Sequence, residues 1–420
     1  MAENKTAPVI DEAGDFATVP VPAEERKSFT SILWVNAGYT INLGCIFGGA
    51  AIAALMPLKQ VFIVLAISAI IQAAIAIPIG AIGAKYGLSS AMLSRKSYGK
   101  YGSWLIATTL AISLGIGWFG WQVALFADTI HALFPDSILT IRWLACIWGG
   151  GLMIFTATKG FKAMGVLSFI AVPMMITFFA FGTLSALVQS TVPFSELLAR
   201  MPGGDIMSIA QGVTVAVGIT VAGAIGMADI TRYAKTPAQA GVSGTLGYLG
   251  GALFCECAGA LIIVVSSNLF PTVTDNLISA MLALGFGFGC LVMLVLAQWT
   301  TNDNNLYSGA LGLTSMIKMR KSVASLIMGA IGVIIAIGGI QDYFVPFLNV
   351  LGLLVPPMGG VLMSHYLLVL PLSKTAQNAD TIAGVNVLAI ISTVAAAALS
   401  YFWVTPLPAS VIGLAASLLL

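Results

Sequence analysis

Charge is scarce in this sequence: Asp, Glu, Lys and Arg make up 8% of 420 residues, where soluble domains carry about 25%. Only two histidines occur, too few for the nucleophile–base or metal-ligand cluster of a membrane-embedded enzyme. A Gly-x-x-x-x-Gly-Lys-Ser/Thr loop is absent, which argues against ATP-driven transport by this chain. The five cysteines (Cys45, Cys146, Cys255, Cys257, Cys290) all fall in apolar stretches. Cys255-Glu256-Cys257 lacks a companion pair at zinc-site spacing, so small apolar packing is the simpler role. The first 25 residues hold six acids, the run Val19-Pro-Val-Pro and no apolar core. That is not a cleavable signal peptide, and residues 1–26 read as a disordered cytoplasmic tail. What is abundant is apolar surface, 59% of residues with a mean hydropathy of +0.99. The chain reads as an all-α polytopic membrane protein.

Twelve apolar segments are expected, at 28–53, 60–83, 103–132, 140–158, 163–190, 206–231, 241–266, 278–301, 323–340, 343–369, 382–403 and 405–420. Gly and Pro punctuate the loops at Tyr86-Gly87, Met201-Pro-Gly-Gly and Phe270-Pro271. With the N-terminus inside, the inside loops hold 15 Lys and Arg, and only Lys59, Arg142 and Arg200 fall outside, which accounts for all 18. That asymmetry supports the orientation and the parity of the segments.

The polar stretch Gln298-Trp-Thr-Thr-Asn-Asp-Asn-Asn-Leu-Tyr-Ser follows an uncharged run from Met281 to Ala297. A crossing takes about 20 residues, so these polar groups are expected in the second half of segment 8 and at its exit. Polar side chains there mark a water-filled path, an ion or a substrate. Segments 1 and 6 are both rich in glycine, at Gly38, Gly44, Gly48, Gly49 and at Gly218, Gly223, Gly226. Small residues suit close helix packing. Interrupted segments in matching positions also point to an inverted-repeat transporter with its site at the breaks. The expected architecture is a five-plus-five inverted repeat, LeuT-like, with helices 1 and 6 broken. The repeats run from about 27 to 192 and 206 to 370, and segments 11 and 12 (371–420) are peripheral.

Trp118 and Gln122 are four apart on segment 3 and share a helix face. A flat indole beside a carboxamide suits a planar heterocycle, the first for stacking and the second as donor and acceptor. Packing and an interhelical hydrogen bond are the alternatives. Thr300 and Thr301 offer hydroxyls one turn beyond the carbonyl of Ala297. Such oxygens, without a carboxylate, fit a monovalent cation, and carbonyls of segment 1 near Ala37 to Ile41 could complete the shell. Bonding back to their own helix is the alternative for these threonines. Glu256 is a candidate proton relay or a structural partner. Asp229 and Arg232 are expected to pair locally or with Asp303 at an inside gate, while Asp128, His131 and His365 read as solvated.

Trp299-Thr-Thr-Asn-Asp-Asn followed by Leu-Tyr, Gly117-Trp-Phe-Gly, Ala228-Asp-Ile-Thr-Arg-Tyr and the loop Gly83-Ala-Lys-Tyr-Gly-Leu-Ser-Ser-Ala-Met-Leu-Ser-Arg-Lys-Ser-Tyr-Gly resemble the bacterial cytosine permeases of the nucleobase–cation symporter family. The likeness covers roughly residues 27 to 370. It implies cation-coupled uptake of a nucleobase-like ring across the bacterial inner membrane, with no cofactor beyond a coupling ion, Na⁺ being the expected one. Trp118 corresponds to the family's stacking tryptophan and Gln122 to a substrate-binding glutamine. Asn42 and Asn302 complete the candidate ring contacts with Thr220 and Gly115. Thr300, Thr301, Ala297, Ala37 and Thr40 form the candidate sodium set. Gly115 stands where cytosine permeases have a glutamine, and Thr220 where they have an aromatic residue. The expected partners are a small heterocycle, a monovalent cation and the bilayer, with the protein a monomer that binds no nucleic acid. An amino-acid or amine carrier of the same fold and a proton-coupled purine or allantoin permease are the competing readings.

Overall fold

In the computed structural model, residues 16–201, 206–270, 277–373, 382–403 and 405–419 are described. Residues 1–15 of the expected tail, the turn at 202–204, Pro271 and the loop with Lys374 lie outside them. Every regular element among the described residues is a helix, and a lone bridge pairs Lys27 with Ala234. Six helices are long and apolar enough to cross a bilayer unaided.

Segment 1 is two helices, Phe29–Thr40 and Leu43–Ala53, bent by 44°. The break falls at Ile41 and Asn42; Asn42 has extended backbone and caps the second helix by accepting from Cys45 N at 3.0 Å. Segment 6 spans Ile209–Ile225 and Met227–Thr231 and is interrupted at Gly226 alone. Segment 8 departs from expectation at both ends. A short helix, Leu277–Ala283, precedes Gly287–Met316, so the polar stretch sits in mid-helix rather than at an exit. An apolar window finds where polar residues begin, and here the helix runs on through polar residues that neighbouring helices bury. Segment 9, Lys321–Ile337, turns back on segment 8 at 116°.

The packing partners obey one exchange rule. Segment 1 packs on 7 as segment 6 packs on 2, segment 5 lies on 1 as 10 lies on 6, and segment 3 meets 9 as 8 meets 4. Replacing segments 1–5 by 6–10, and the reverse, maps each of these pairs onto its counterpart, as an internal repeat requires. The helices Val387–Phe402 and Ala409–Leu419 pack on segment 10 and on each other.

Segments 1 and 7 touch backbone to backbone. A Cβ on Gly49 would overlap the Glu256 carbonyl, and one on Gly259 the Ile46 carbonyl. Neither helix can retreat without opening the core, so Gly49→Ala or Gly259→Ala is expected to destabilise the protein by about 1–3 kcal/mol. Thermal melting of the detergent-purified variants measures this, and melting at the parent temperature would contradict the crossing.

The chain before segment 1 is held over Phe16 to Lys27, not free as the tail assignment expected. Val21 N donates to Gly87 O at 2.9 Å, and Lys27 N to Tyr233 O at 2.7 Å. Arg26 Nη1 reaches Ala84 O at 2.5 Å and Ala234 O at 2.6 Å. Arg26 thereby satisfies carbonyls that the ends of segments 2 and 6 leave without partners.

Candidate functional site

Where the break in segment 1 meets segments 3, 6, 7 and 8 there is a narrow cavity. Each of its lining residues is buried. Trp118 forms one wall and Gln122 lies one turn on, both facing Gly44, where a Cβ would stand 2.9 Å from Trp118 and 3.3 Å from Gln122 Nε2. Among the described residues, neither amide atom of buried Gln122 has a hydrogen-bond partner, and nor does the Tyr39 hydroxyl. Buried polar groups are paired in all but a few cases, so a donor and an acceptor side by side here are arranged for something that enters.

Thr220 lines the cavity, with its hydroxyl donating to Gln72 Oε1 and its carbonyl accepting from Tyr248 OH. Asn42 lines it too, although its side chain is committed to the break through Cys45 N and the Tyr39 carbonyl. Two expected contacts fall elsewhere. Gly115 packs on Gly309 of segment 8 and Met328 of segment 9. The cause is a π-helical stretch, Ala111–Trp118. With i→i+5 bonding, the residue sharing the Trp118 face is four back rather than three, and Leu114 takes the place assigned to Gly115. Asn302 is turned to segments 3 and 4, donating to Phe119 O at 3.3 Å, and touches the site only through Asn305. Asn305 itself lines the cavity. It is one helical turn after Thr301, a spacing that would have found it. Tyr39, Tyr248 and Gln72 carried no signal in the sequence, because their role depends on which helices meet.

Aromatic groups form two clusters. In one, Trp121 and Phe344 stack at 4.5 Å, and Phe347 meets Trp118 edge-on at 5.5 Å. In the other, Phe161 stacks on Tyr233 at 4.3 Å, and the Tyr233 and Tyr307 hydroxyls lie 3.3 Å apart.

Of the candidate cation oxygens, the Thr300 and Thr301 hydroxyls each donate back to Ala297 O at 3.0 Å, the own-helix bond weighed against the cation role, and these oxygens lie together. The carbonyls at the end of the first helix can be accounted for one by one. Ala37 O accepts from Ile41 N, Tyr39 O from the Asn42 side chain and Thr40 O from Asn42 N. Gly38 O alone has no backbone partner among the described residues, and Thr301 Oγ1 is 3.5 Å from it. The break therefore presents Gly38 O, within the stretch from Ala37 to Ile41 expected from sequence. The Thr40 hydroxyl turns away to Tyr248 O at 2.8 Å.

Of the two expected arrangements, Asp229 and Arg232 meet locally, and no bond from either to Asp303 is formed among the described residues. Asp229 Oδ1 accepts from Ser90 N at 2.9 Å. Arg232 donates to the Asp229 carbonyl at 3.2 Å, to Tyr307 OH at 2.8 Å and to Phe16 O. Asp303 points toward segment 4, accepting from Thr156 at 2.6 Å. Asp128, expected to be solvated, pairs with Arg142 at 3.7 Å and accepts from Gln341 at 2.5 Å. His131 is exposed and His365 half-buried. Glu256 is buried, and its Oε1 has no hydrogen-bond partner among the described residues.

A closed chamber beside a helix break, in a bundle built of two repeats, belongs to a membrane transporter and not to an enzyme. Residues 20–419 match the model of permeases for cytosine/purines, uracil, thiamine and allantoin, and the chain belongs to that family. The cytosine permease of Escherichia coli (strain K12) is 28% identical over 362 residues, 86% of this chain and 82% of that protein. The hydantoin permease of Microbacterium maritypicum is 24% identical over 361 residues, 80% of this chain and 73% of its own. Among solved structures, Mhp1, a nucleobase-cation-symport-1 family transporter in a closed conformation with bromovinylhydantoin bound, matches with a TM-score of 0.82. The match covers 97% of this chain and 94% of that one at 20% identity, so it establishes the shared fold.

Proposed function

We propose that the protein carries a nucleobase or a closely related heterocycle into the cell together with Na⁺, by alternating access. It would work as a monomer in the bacterial inner membrane with its N-terminus in the cytoplasm. The observation that carries the substrate class is the Gln122 amide, unpartnered among the described residues, beside the Trp118 ring in a buried cavity. A planar ring with adjacent donor and acceptor edges would satisfy both amide atoms. The family and the cytosine and hydantoin permeases among its relatives support the same class. An amino-acid or amine substrate fits less well, because no acid or base lines the cavity to meet its charge. Na⁺ is favoured by hydroxyl and carbonyl oxygens from segments 1 and 8 that converge without a carboxylate. Glu256, buried with an unpartnered oxygen, supports proton coupling as a second reading.

Thermal shift of the purified protein against a panel of nucleobases and hydantoins, with and without Na⁺, tests this. A ligand at 100 times its dissociation constant adds about 2.7 kcal/mol. Gln122→Ala should lower the affinity of the best ligand by about 1–3 kcal/mol, the cost of leaving a buried partner unpaired. A panel with no stabilising ring, or an unchanged ranking in Gln122→Ala, would remove the substrate assignment.

A further inference from the structure

We propose that Ser168 of segment 5 supplies a further ligand to the cation site. This rests on the sodium reading of Thr300 and Thr301 and brings in a helix that neither the sequence motifs nor the repeat logic assigns to the site.

Ser168 lies on the helix Phe161–Gln189 and is 1% exposed. Its hydroxyl has no hydrogen-bond partner among the described residues. Hydroxyls in helices commonly donate back to a carbonyl one turn earlier. The less buried Thr177 and Thr183 on this same helix do so, to Pro173 O at 3.0 Å and Phe179 O at 2.8 Å. Ser168 forgoes that bond and is turned toward segment 1. A Cβ on Gly38 would stand 2.6 Å from Ser168 Oγ and 3.2 Å from Val172 Cγ2, so the hydroxyl occupies the space where residue 38 has no side chain.

Gly38 is also the residue whose carbonyl the helix break releases, with Thr301 Oγ1 3.5 Å away. Ala297 O, Thr300 Oγ1, Thr301 Oγ1 and Gly38 O make four oxygens. Hard cations gather roughly six. Ser168 Oγ adds a neutral oxygen from a third helix, and segment 5 already packs on both segments 1 and 8. The cation would then join three helices rather than two. Its affinity would depend on a side chain outside the Thr-Thr motif.

The test titrates Na⁺ against choline at constant ionic strength in detergent-purified protein. It reads thermal stabilisation without substrate, and substrate binding with it. Ser168→Ala is expected to raise the Na⁺ midpoint about 5- to 20-fold in both readouts, and higher Na⁺ should restore the full response. Ser168→Cys, similar in size but a poor ligand for a hard cation, should behave in the same way even if the alanine variant folds badly. Wild-type Na⁺ midpoints in both, alongside a lost response in Thr300→Val, overturn the assignment of Ser168. A wild-type response in Thr300→Val as well would remove the sodium reading itself, and the role of Ser168 with it.

Discussion

Trp118→Ala should bring uptake of the ring substrate close to background while the protein still inserts and still responds to Na⁺. The indole is one wall of the cavity, held from behind by Trp121 at 5.7 Å and by Phe347 at 5.5 Å. Stacking on an aromatic side chain is worth about 1–3 kcal/mol per base, a factor of roughly 5 to 150 in affinity. The alanine also opens the cavity toward Phe344, so Gln122 would no longer face a ring held in one plane. Losing a buried Trp costs about 3–5 kcal/mol of stability, and a misfolded variant would give the same loss of uptake. Trp118→Phe separates the two. It retains an apolar wall and part of the stacking surface, so it should fold and bind more weakly. Na⁺-dependent thermal stabilisation in both variants confirms that the rest of the site is intact. Unchanged uptake in Trp118→Ala would mean that the substrate lies elsewhere.

The segments, their order and the pairing of segments 1 and 6 were legible in the sequence because they depend on apolar length and glycine content, both local properties. Trp118 and Gln122 were legible for the same reason: a four-residue spacing within one α-helix is a face. The errors have physical causes. Gly115 was placed on the cavity by the family resemblance, three residues before Trp118, and a π-helical turn, which composition does not announce, rotated it onto Gly309 and Met328. Asn302 was named and Asn305 was not, although Thr301 and Asn305 share the helix face that lines the cavity. Asp303 was weighed as a partner of Arg232 on charge alone, although segment 4 supplies Thr156 as its partner. Gln72, Tyr248 and Ser168 are ordinary residues in their own segments. Their positions follow only from which helices meet, and a single sequence does not state that.

Thr300→Val is expected to abolish Na⁺ stimulation of substrate binding while leaving the weaker Na⁺-independent binding in place. Valine keeps the shape of threonine and removes the one oxygen. Thr300 is the cleaner of the two threonines to change, since Thr301 also lines the ring cavity and its loss would weaken substrate contacts directly. Thr301→Val should therefore lose both Na⁺ stimulation and some intrinsic affinity, and the comparison separates the cation from the ring. The cation would bridge Ala297 O of segment 8 and Gly38 O of segment 1, so binding it holds the two repeats in the arrangement that forms the cavity. By linkage, substrate must then tighten Na⁺ by the same factor that Na⁺ tightens substrate, typically 1–3 kcal/mol or roughly 5- to 150-fold. Titrating substrate at several Na⁺ concentrations, and Na⁺ at several substrate concentrations, measures that factor twice in the wild type and should give unity in Thr300→Val. If instead wild-type affinity ignores Na⁺ and follows pH, coupling runs through protons. Glu256, buried without a partner for Oε1, then becomes the residue to change.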